Sequence, residues 1–371
     1  MNKNIIFIGV DVDDKNFHGC GYKNGSMIGE FKCRPNVGHL VKKLEDLSEE
    51  GFEIRVCYEA TYLGYTLCRK LRESGYHCDV IAPSLIPQQP GWQQKTDKID
   101  SRKLAEYYAN GQLTIVTVPD EKNERVRDLV RSRSFIMRQL KALKLHILSQ
   151  CRRSGMSYKE GGEEGQKKHW TKNHREWLNG TYKKQGDANL VTNLNLLLEQ
   201  EKRLSELIRS YDEQIERISK QEEYQKKVSA LCCYRGIDTL SAMTVITEIG
   251  DIKRFAHPRK LAGYAGLDLR EYSSGGKERR YGITKMGNRH IRTSVIEACQ
   301  TASRYPQTSR RLKIQHATAD KKHVEIADRC MRRLHKKSQK LLIREKTRNK
   351  VKVACAREML CFIWESLKVA A

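Results

Sequence analysis

Residues Asn4 to Val12 read NIIFIGVDV, an apolar, β-branched run that turns acidic at its end, which predicts a buried central strand with Asp11 on it or just past it. A turn around Asp13 and Asp14 leads to a second extended stretch. Asn36 to Leu47 then repeats its apolar positions with the 3.6-residue period of an amphipathic helix. The run EIRVCYEA predicts a strand ending at Glu59, Tyr62 to Ser74 a helix stopped at Gly75, and HCDVIAP a short strand before Pro83. Strand and helix alternating in this way indicate an α/β domain with a partly parallel sheet.

Beyond that domain the pattern is helical. Lys95 to Asn110 and Asn123 to Ser149 predict two helices, the second rich in Arg and Lys; Gly155 to Gly165 predicts a loop, and Trp170 and Trp177 in WTKNHREWL staple a short helix. Leu190, Leu194, Leu197, Leu204, Ile208, Tyr211, Ile215 and Ile218 advance in steps of three and four, broken only at Glu201. That is the seam of a coiled coil, and self-association through it is favoured over packing on the chain's own domain. From about Lys227 to Arg310 a second globular segment is mostly helical, with a turn-rich patch from Asp268 to Gly287. The tail after Arg311 is basic and helical, either a solvated face or an element that grips a phosphate backbone.

Charge changes the picture more than any single element. Seventy Lys and Arg against 45 Asp and Glu leave a net charge of +25, and the basic clusters recur from Arg125 to the C-terminus instead of forming one tail. Such a surface attracts a polyanion, and nucleic acid is the expected partner. No apolar run approaches the roughly 20 residues of a membrane span, and the start lacks a signal-peptide pattern, so no membrane is involved and a cytoplasmic location is expected. The 12 cysteines form no CxxC pair and read as reduced core thiols. His169 and His174 lack further ligands nearby and read as part of a solvated helix.

Asp97 and Asp100 in KTDKIDSRKLA stand three apart, on one helix face. Taken alone they are surface acids paired with neighbouring lysines. Joined to Asp11 and Glu59 at two strand ends, which an α/β sheet brings to one edge, they make a set of hard oxygen donors suited to Mg²⁺ or Mn²⁺. Two such ions activate a nucleophile and stabilise a leaving oxygen. Lys95, Lys98 and Arg102 flank the acids, to limit their repulsion or to contact phosphates.

Further along, LCCYRGIDTLSAMTVITEIGDIKRF has the helix, turn and helix of an element whose turn amides grip a DNA phosphate, although Asp238 stands where glycine is usual, and a plain helical hairpin is an equal reading. Ser273 and Ser274 precede Gly275 and Gly276 among Arg270, Lys277, Arg279, Arg280, Lys285, Arg289 and Arg292. A serine in this setting could attack a phosphodiester, with the cations stabilising the developing charge. A Gly-Ser turn beside a basic DNA-contact surface accounts for the same residues.

The order Asp11, YEAT at Glu59, KTDKIDSRKLA, WTKNHREWL, RGIDTLSAMTVITEIGD, YAGL, SSGGK and GITKMGNRHIR resembles the DEDD transposases of bacterial insertion sequences, the bridge-RNA-guided serine recombinases, over nearly the whole chain to about residue 310. The resemblance implies an α/β plus α architecture: a RuvC-like, RNase H-fold metal-binding domain over residues 1–150, a linker and coiled-coil dimerisation region over 151–226, a transposase domain over 227–310 and a basic helical tail over 311–371. It implies that Asp11, Glu59, Asp97 and Asp100 bind Mg²⁺ or Mn²⁺, and that Ser273 or Ser274 forms a 5′-phosphoserine link to the cut strand. It also implies a structured guide RNA pairing with donor and target DNA, a homo-oligomer (a dimer, and a tetramer on DNA) and a nucleoid-associated location in a bacterium. A RuvC-like junction resolvase that hydrolyses with water, and a non-catalytic nucleic-acid-binding protein, are the alternatives.

Overall fold

The apolar run at the start becomes β1 (Ile5–Val12), and the chain folds back on it through β2 (Phe17–Lys23) and β3 (Ser26–Cys33). The single extended stretch predicted after Asp14 is therefore a hairpin, because the Asn24-Gly25 pair supplies a tight turn between Lys23 and Ser26. Helix α1 (Val37–Asp46), capped by the Asn36 side chain, leads to β4 (Glu53–Glu59), then α2 (Thr66–Glu73), β5 (His77–Ile81), α3 (Asp97–Ala109) and β6 (Ile115–Val116). The computed structural model describes residues 4–87, 97–159, 168–185, 187–274 and 277–371, with 185, 272–274 and 277–280 described by their backbone. Lys95, Gly275, Gly276 and part of the loop predicted from Gly155 to Gly165 lie outside the described residues.

Contacts divide the chain into two compact units, Met1–Pro119 and Asp120–Ala371. The first holds a six-stranded sheet of order β3-β2-β1-β4-β5-β6, in which β1, β4 and β5 are parallel and the other neighbours antiparallel. Alternation along β1 sorts its side chains. Ile6, Ile8, Val10 and Val12 join Leu40, Leu44, Leu67 and Leu71 of α1 and α2 in one core. The opposite face takes α3, through Leu104 and Tyr108 against Cys57, Ile81 and Phe7.

The second unit begins with α4 (Glu121–Arg153), followed by α5 (Lys172–Thr181), α6 (Ala188–Ser219), α7 (Glu222–Cys232), α8 (Thr239–Ile249) and α9 (Pro258–Tyr264). A two-stranded ribbon of β7 (Leu269–Ser274) and β8 (Lys277–Ile283) interrupts the helices where a turn-rich patch is predicted. Helices α10 (Arg289–Ala298), α11 (Arg310–Thr318), α12 (Lys321–Ile343) and α13 (Arg348–Ala370) complete it. One core joins α7, α8, α9, α10, α12 and α13, so the basic tail packs back onto this unit. None of the described helices is long and apolar enough to cross a membrane.

The predicted seam of α6 finds its partner within the chain. Ile215 packs with Val126 and Val130, Leu204 and Ile208 with Leu140, and Leu194 with Ile147 and Cys151, an antiparallel match of α6 along α4. Glu201, the break in the seam, is buried and held by Arg175 at 2.8 and 2.9 Å and by Lys144 at 3.2 Å. Burial by itself would raise this carboxyl; the Arg175 and Lys144 contacts outweigh it and hold it below its ordinary value.

His174 corrects the solvated-helix reading. It is fully buried among Tyr158, Trp170 and Trp177, and its Nδ1 accepts a hydrogen bond from the Trp170 amide. The two tryptophans enclose it and join the same apolar cluster as Leu178 and Leu194, so they anchor α5 as predicted. All 12 cysteines are free thiols, ten of them buried, which agrees with their reading as core residues.

Candidate active site

Asp11 and Glu59 lie on the same edge of the sheet. The parallel register of β1 with β4 runs to Val10 opposite Tyr58, so Asp11 and Glu59 continue two adjacent strands at the same level. Asp11 alternates with Gly9, and Glu59 with Cys57, which sets both on the face covered by α3.

Gly9 determines how closely α3 approaches. A Cβ at Gly9 would stand 2.3 Å from the Ala105 amide nitrogen and 2.5 Å from the Ser101 carbonyl, so only glycine lets the helix backbone rest on the strand. The helix is antiparallel to β1: the Tyr108 ring meets Phe7 edge-on at 5.3 Å, and Ser101 and Leu104 meet Gly9. Four helical residues rise about 6 Å, the same as two strand residues. One turn before Leu104, Asp100 therefore comes level with Asp11. Asp97 lies 3.7 Å from His18 Nε2, and His18 is the cross-strand partner of Asp11. His18 is a member of this edge that the sequence pattern does not disclose, because β-sheet pairing alone brings it there.

Two of the three flanking cations have a partner on the sheet. Lys98 and Arg102 both pair with Glu30 on β3, Lys98 at 2.7 Å, and so fasten α3 across the antiparallel half of the sheet. Among the described residues no three His, Cys, Asp or Glu side chains are closed around a cation position. Asp11, Glu59, Asp97 and Asp100 offer only oxygen donors, which by donor chemistry fit a hard divalent ion.

In the second unit the serine segment forms the ribbon, with Ser273 opposite Glu278 and Ser274 opposite Lys277 in its register. Its base is braced by two loops. The Asn288 amide donates to the Tyr264 carbonyl at 2.7 Å, Lys285 to Gly266 at 3.1 Å and Thr284 to Asp268 at 2.8 Å. Gly287, at φ 137°, fits where a Cβ would meet the Tyr264 carbonyl at 2.4 Å. Arg292 donates through one guanidinium nitrogen to the Ala265 carbonyl at 2.8 Å and ties the two loops. Arg270, Lys285 and Arg289 are exposed. Arg279 and Arg280 of β8 stand opposite Tyr272 and Glu271 in the backbone register of the ribbon.

Glu248 is a residue that sequence reasoning passed over. It is buried on α8, bound by Arg131 of α4 at 2.6 and 2.8 Å and by the Asn288 side chain at 2.6 Å. Burial would raise its carboxyl, but the Arg131 and Asn288 hydrogen bonds hold it below its ordinary value. Asn288 in turn caps α10 through the His290 and Ile291 amides. A lone acid inside the apolar run AMTVITEI was the available signal. Asp238, which departs from the expected glycine, caps α8 by accepting from the Ser241 amide at 2.8 Å.

An α/β sheet with acids at the ends of two adjacent strands, covered by a helix that carries two more in its first turn and followed by a basic helical unit, is consistent with a nuclease-like enzyme. Comparison with known proteins narrows that class. A DEDD transposase model of the IS110 type matches residues 8–153, which include all four acids, and a model described as Transposase IS116/IS110/IS902 family matches residues 228–313, which include both serines. The chain is 33% identical to a putative transposase, y4qE, of Sinorhizobium fredii over 96% of its own length and 87% of that protein. It is 28% identical to the transposase for insertion sequence element IS1533 of Leptospira borgpetersenii, over 91% and 97% of the two chains. The transposase for IS1111A of Coxiella burnetii is 23% identical over 98% and 90%. The chain belongs to the IS110 family of DEDD insertion-sequence transposases.

Proposed function

We propose that this transposase cuts and rejoins donor and target DNA under the guidance of a structured RNA, using an acid-bound divalent metal and a phosphoserine intermediate. The observation that carries the reading is the convergence of Asp11 and Glu59, at the ends of adjacent parallel strands, with the first turn of α3 that bears Asp97 and Asp100. The strand order, antiparallel from β3 to β1 and parallel from β1 to β5, supports a RuvC-like, RNase H fold for the first unit. Asp11, Glu59, Asp97 and Asp100 would hold Mg²⁺ or Mn²⁺, which when bound supplies positive charge to the phosphate under attack.

The Oγ of Ser273 or Ser274 attacks the phosphorus, an Oγ–P bond forms and the P–O3′ bond breaks. The serine proton ends on the departing 3′ oxygen, leaving a 3′-hydroxyl and a 5′-phosphoserine. Attack by the 3′-hydroxyl of another strand reverses the step and joins the new partner. Arg270, Lys277, Arg279, Arg280, Lys285, Arg289 and Arg292 hold the phosphates, and a homo-oligomer, dimeric free and tetrameric on DNA, brings the strands together. Base pairing with the RNA selects the site, as in guide-directed nucleases.

A suicide DNA substrate, incubated with the protein and an RNA from the element's noncoding end, tests this reading. Wild type should give a covalent adduct on a denaturing gel, lost in one of Ser273→Ala and Ser274→Ala and kept in the other. Strand cleavage with no adduct would replace it with a junction resolvase that hydrolyses with water. Undiminished cleavage by Asp11→Asn would remove the metal site.

A further inference from the structure

The basic tail is neutralised on one side and not on the other. Along the contact of α12 with α13, Arg329 pairs with Glu365, and Arg333 and Lys337 pair with Glu358 at 2.5 and 2.7 Å. Where the start of α13 meets the loop after α10, a cleft of about 390 Å³ is lined by Arg304, Arg348 and Lys352 together with Gln300 and Ser303. Among the described residues no carboxylate lies within ion-pair distance of Arg304, Arg348 or Lys352.

These cations stand where a folded protein alone would not favour them. Thr347, the residue before α13, makes no side-chain cap and the first turn has no acid, so Arg348 adds charge to the positive end of the helix dipole. Arg235 approaches the same loop and donates to the Tyr305 carbonyl at 3.0 Å. Burial, and then the neighbouring Arg304, push its guanidinium down from its ordinary value. The loop itself is held firmly, because Ser338 and Gln339 of α12 donate to the Ala302 and Ser303 carbonyls at 3.2 and 2.9 Å. Beside Arg304 on this braced loop the Tyr305 side chain is 78% exposed, its ring in a T-shaped arrangement with His335 at 6.2 Å between centroids.

Unpaired cations lining a cleft, with an exposed aromatic residue following one of them on the same loop, match the needs of an unpaired nucleotide strand: charge for the phosphates and a flat surface on which a base stacks. A duplex offers the phosphates but keeps its bases stacked on one another. We infer that the cleft between the loop at Arg304 and the start of α13 binds the sugar-phosphate backbone of a single nucleic-acid strand, with one base stacked on Tyr305. The inference rests on the reading of this chain as a nucleic-acid enzyme, but not on its metal or serine chemistry.

Fluorescence anisotropy with the full-length protein tests it, using an unpaired oligodeoxynucleotide, the same sequence as an oligoribonucleotide, and the deoxy duplex. The variant Arg304→Ala/Arg348→Ala/Lys352→Ala should bind the single strand more weakly and lower the salt dependence of log Kd by about two, since each phosphate contact on a single strand contributes about 0.7. Tyr305→Ala should weaken single-strand binding roughly tenfold and leave the duplex unaffected, with Tyr305→Trp restoring it. Whichever of the RNA and DNA strands loses more affinity is the one the cleft holds. Arg329→Ala/Arg333→Ala, on the neutralised side, should match wild type. An unchanged affinity and salt slope in the triple variant would overturn the site, and equal losses for duplex and single strand in Tyr305→Ala would overturn its choice of an unpaired strand. Both readouts are binding alone, so they are separate from the adduct that tests the chemistry.

Discussion

Gly9 and His174 show how single positions set what the chain can do. Gly9 is apolar and unremarked in the run NIIFIGVDV, yet it is the point where the α3 backbone rests on β1 and brings Asp97 and Asp100 toward Asp11. Gly9→Ala should cost about 1–3 kcal/mol by overpacking. Because the shift separates the two pairs of acids, cleavage should fall further than the loss of fold explains; melting curves and cleavage rates on the same preparation make the comparison. His174 is buried, and burial chiefly, with His169 and Arg175 nearby, lowers its pKa from 6.5 to about 4. As pH falls, the unfolded chain takes up this proton before the folded one. The contribution of neutral His174 to stability is therefore complete above about pH 6.5 and is lost between there and about pH 4. A pH series of thermal melts should show a decline over that window, and His174→Phe should lose part of it. A slope unchanged by the substitution would mean that other groups account for the decline.

Among the elements, the helix pair of α4 and α6 is where pattern and packing diverge. The three-and-four spacing correctly marks a long apolar stripe, but such a stripe specifies a helical neighbour without saying whose; α4 of the same chain supplies one here. Glu201 interrupts the stripe because Arg175 and Lys144 converge on it, a contact invisible in the local pattern. Removing the carboxylate strands two cations, one of them largely buried, and Glu201→Ala should destabilise by about 3 kcal/mol, at the lower end for a broken buried pair since Arg175 remains partly exposed. Denaturant titration would measure it. The Glu248 junction links α4, α8 and the cap of α10 at the base of the ribbon. Glu248→Gln keeps an acceptor for Asn288 but loses the charge opposite Arg131. It should lower covalent adduct formation more than DNA affinity; an equal fall in both would assign Glu248 to the fold alone.

At the scale of the molecule, each unit is held by its own hydrophobic core, while the four acids stand near the ends of two strands and in the first turn of α3. The fold should therefore stand without metal while the chemistry does not: a chelator should abolish cleavage, Mg²⁺ or Mn²⁺ should restore it, and the melting curve should stay in place throughout. A melting transition that moves by several degrees on chelation would show instead that the ion is part of the structure. Much of this organisation was legible in the chain. Strand and helix periods marked β1, β4, β5 and α3, because a half-buried element repeats its apolar residues at the period of its backbone. The charge excess and the ordered motifs pointed to a nucleic-acid enzyme, and the matched family models support that class. The sequence by itself determined which elements form and which residue types are present to do chemistry. Tertiary structure alone decided the neighbours: His18 beside Asp97, Lys98 and Arg102 on Glu30, Arg292 on the Ala265 carbonyl, and the division of the basic tail into a neutralised side and an open one. Those pairings join residues far apart in the chain, and a local period carries no information about which distant group closes a salt bridge or covers a face.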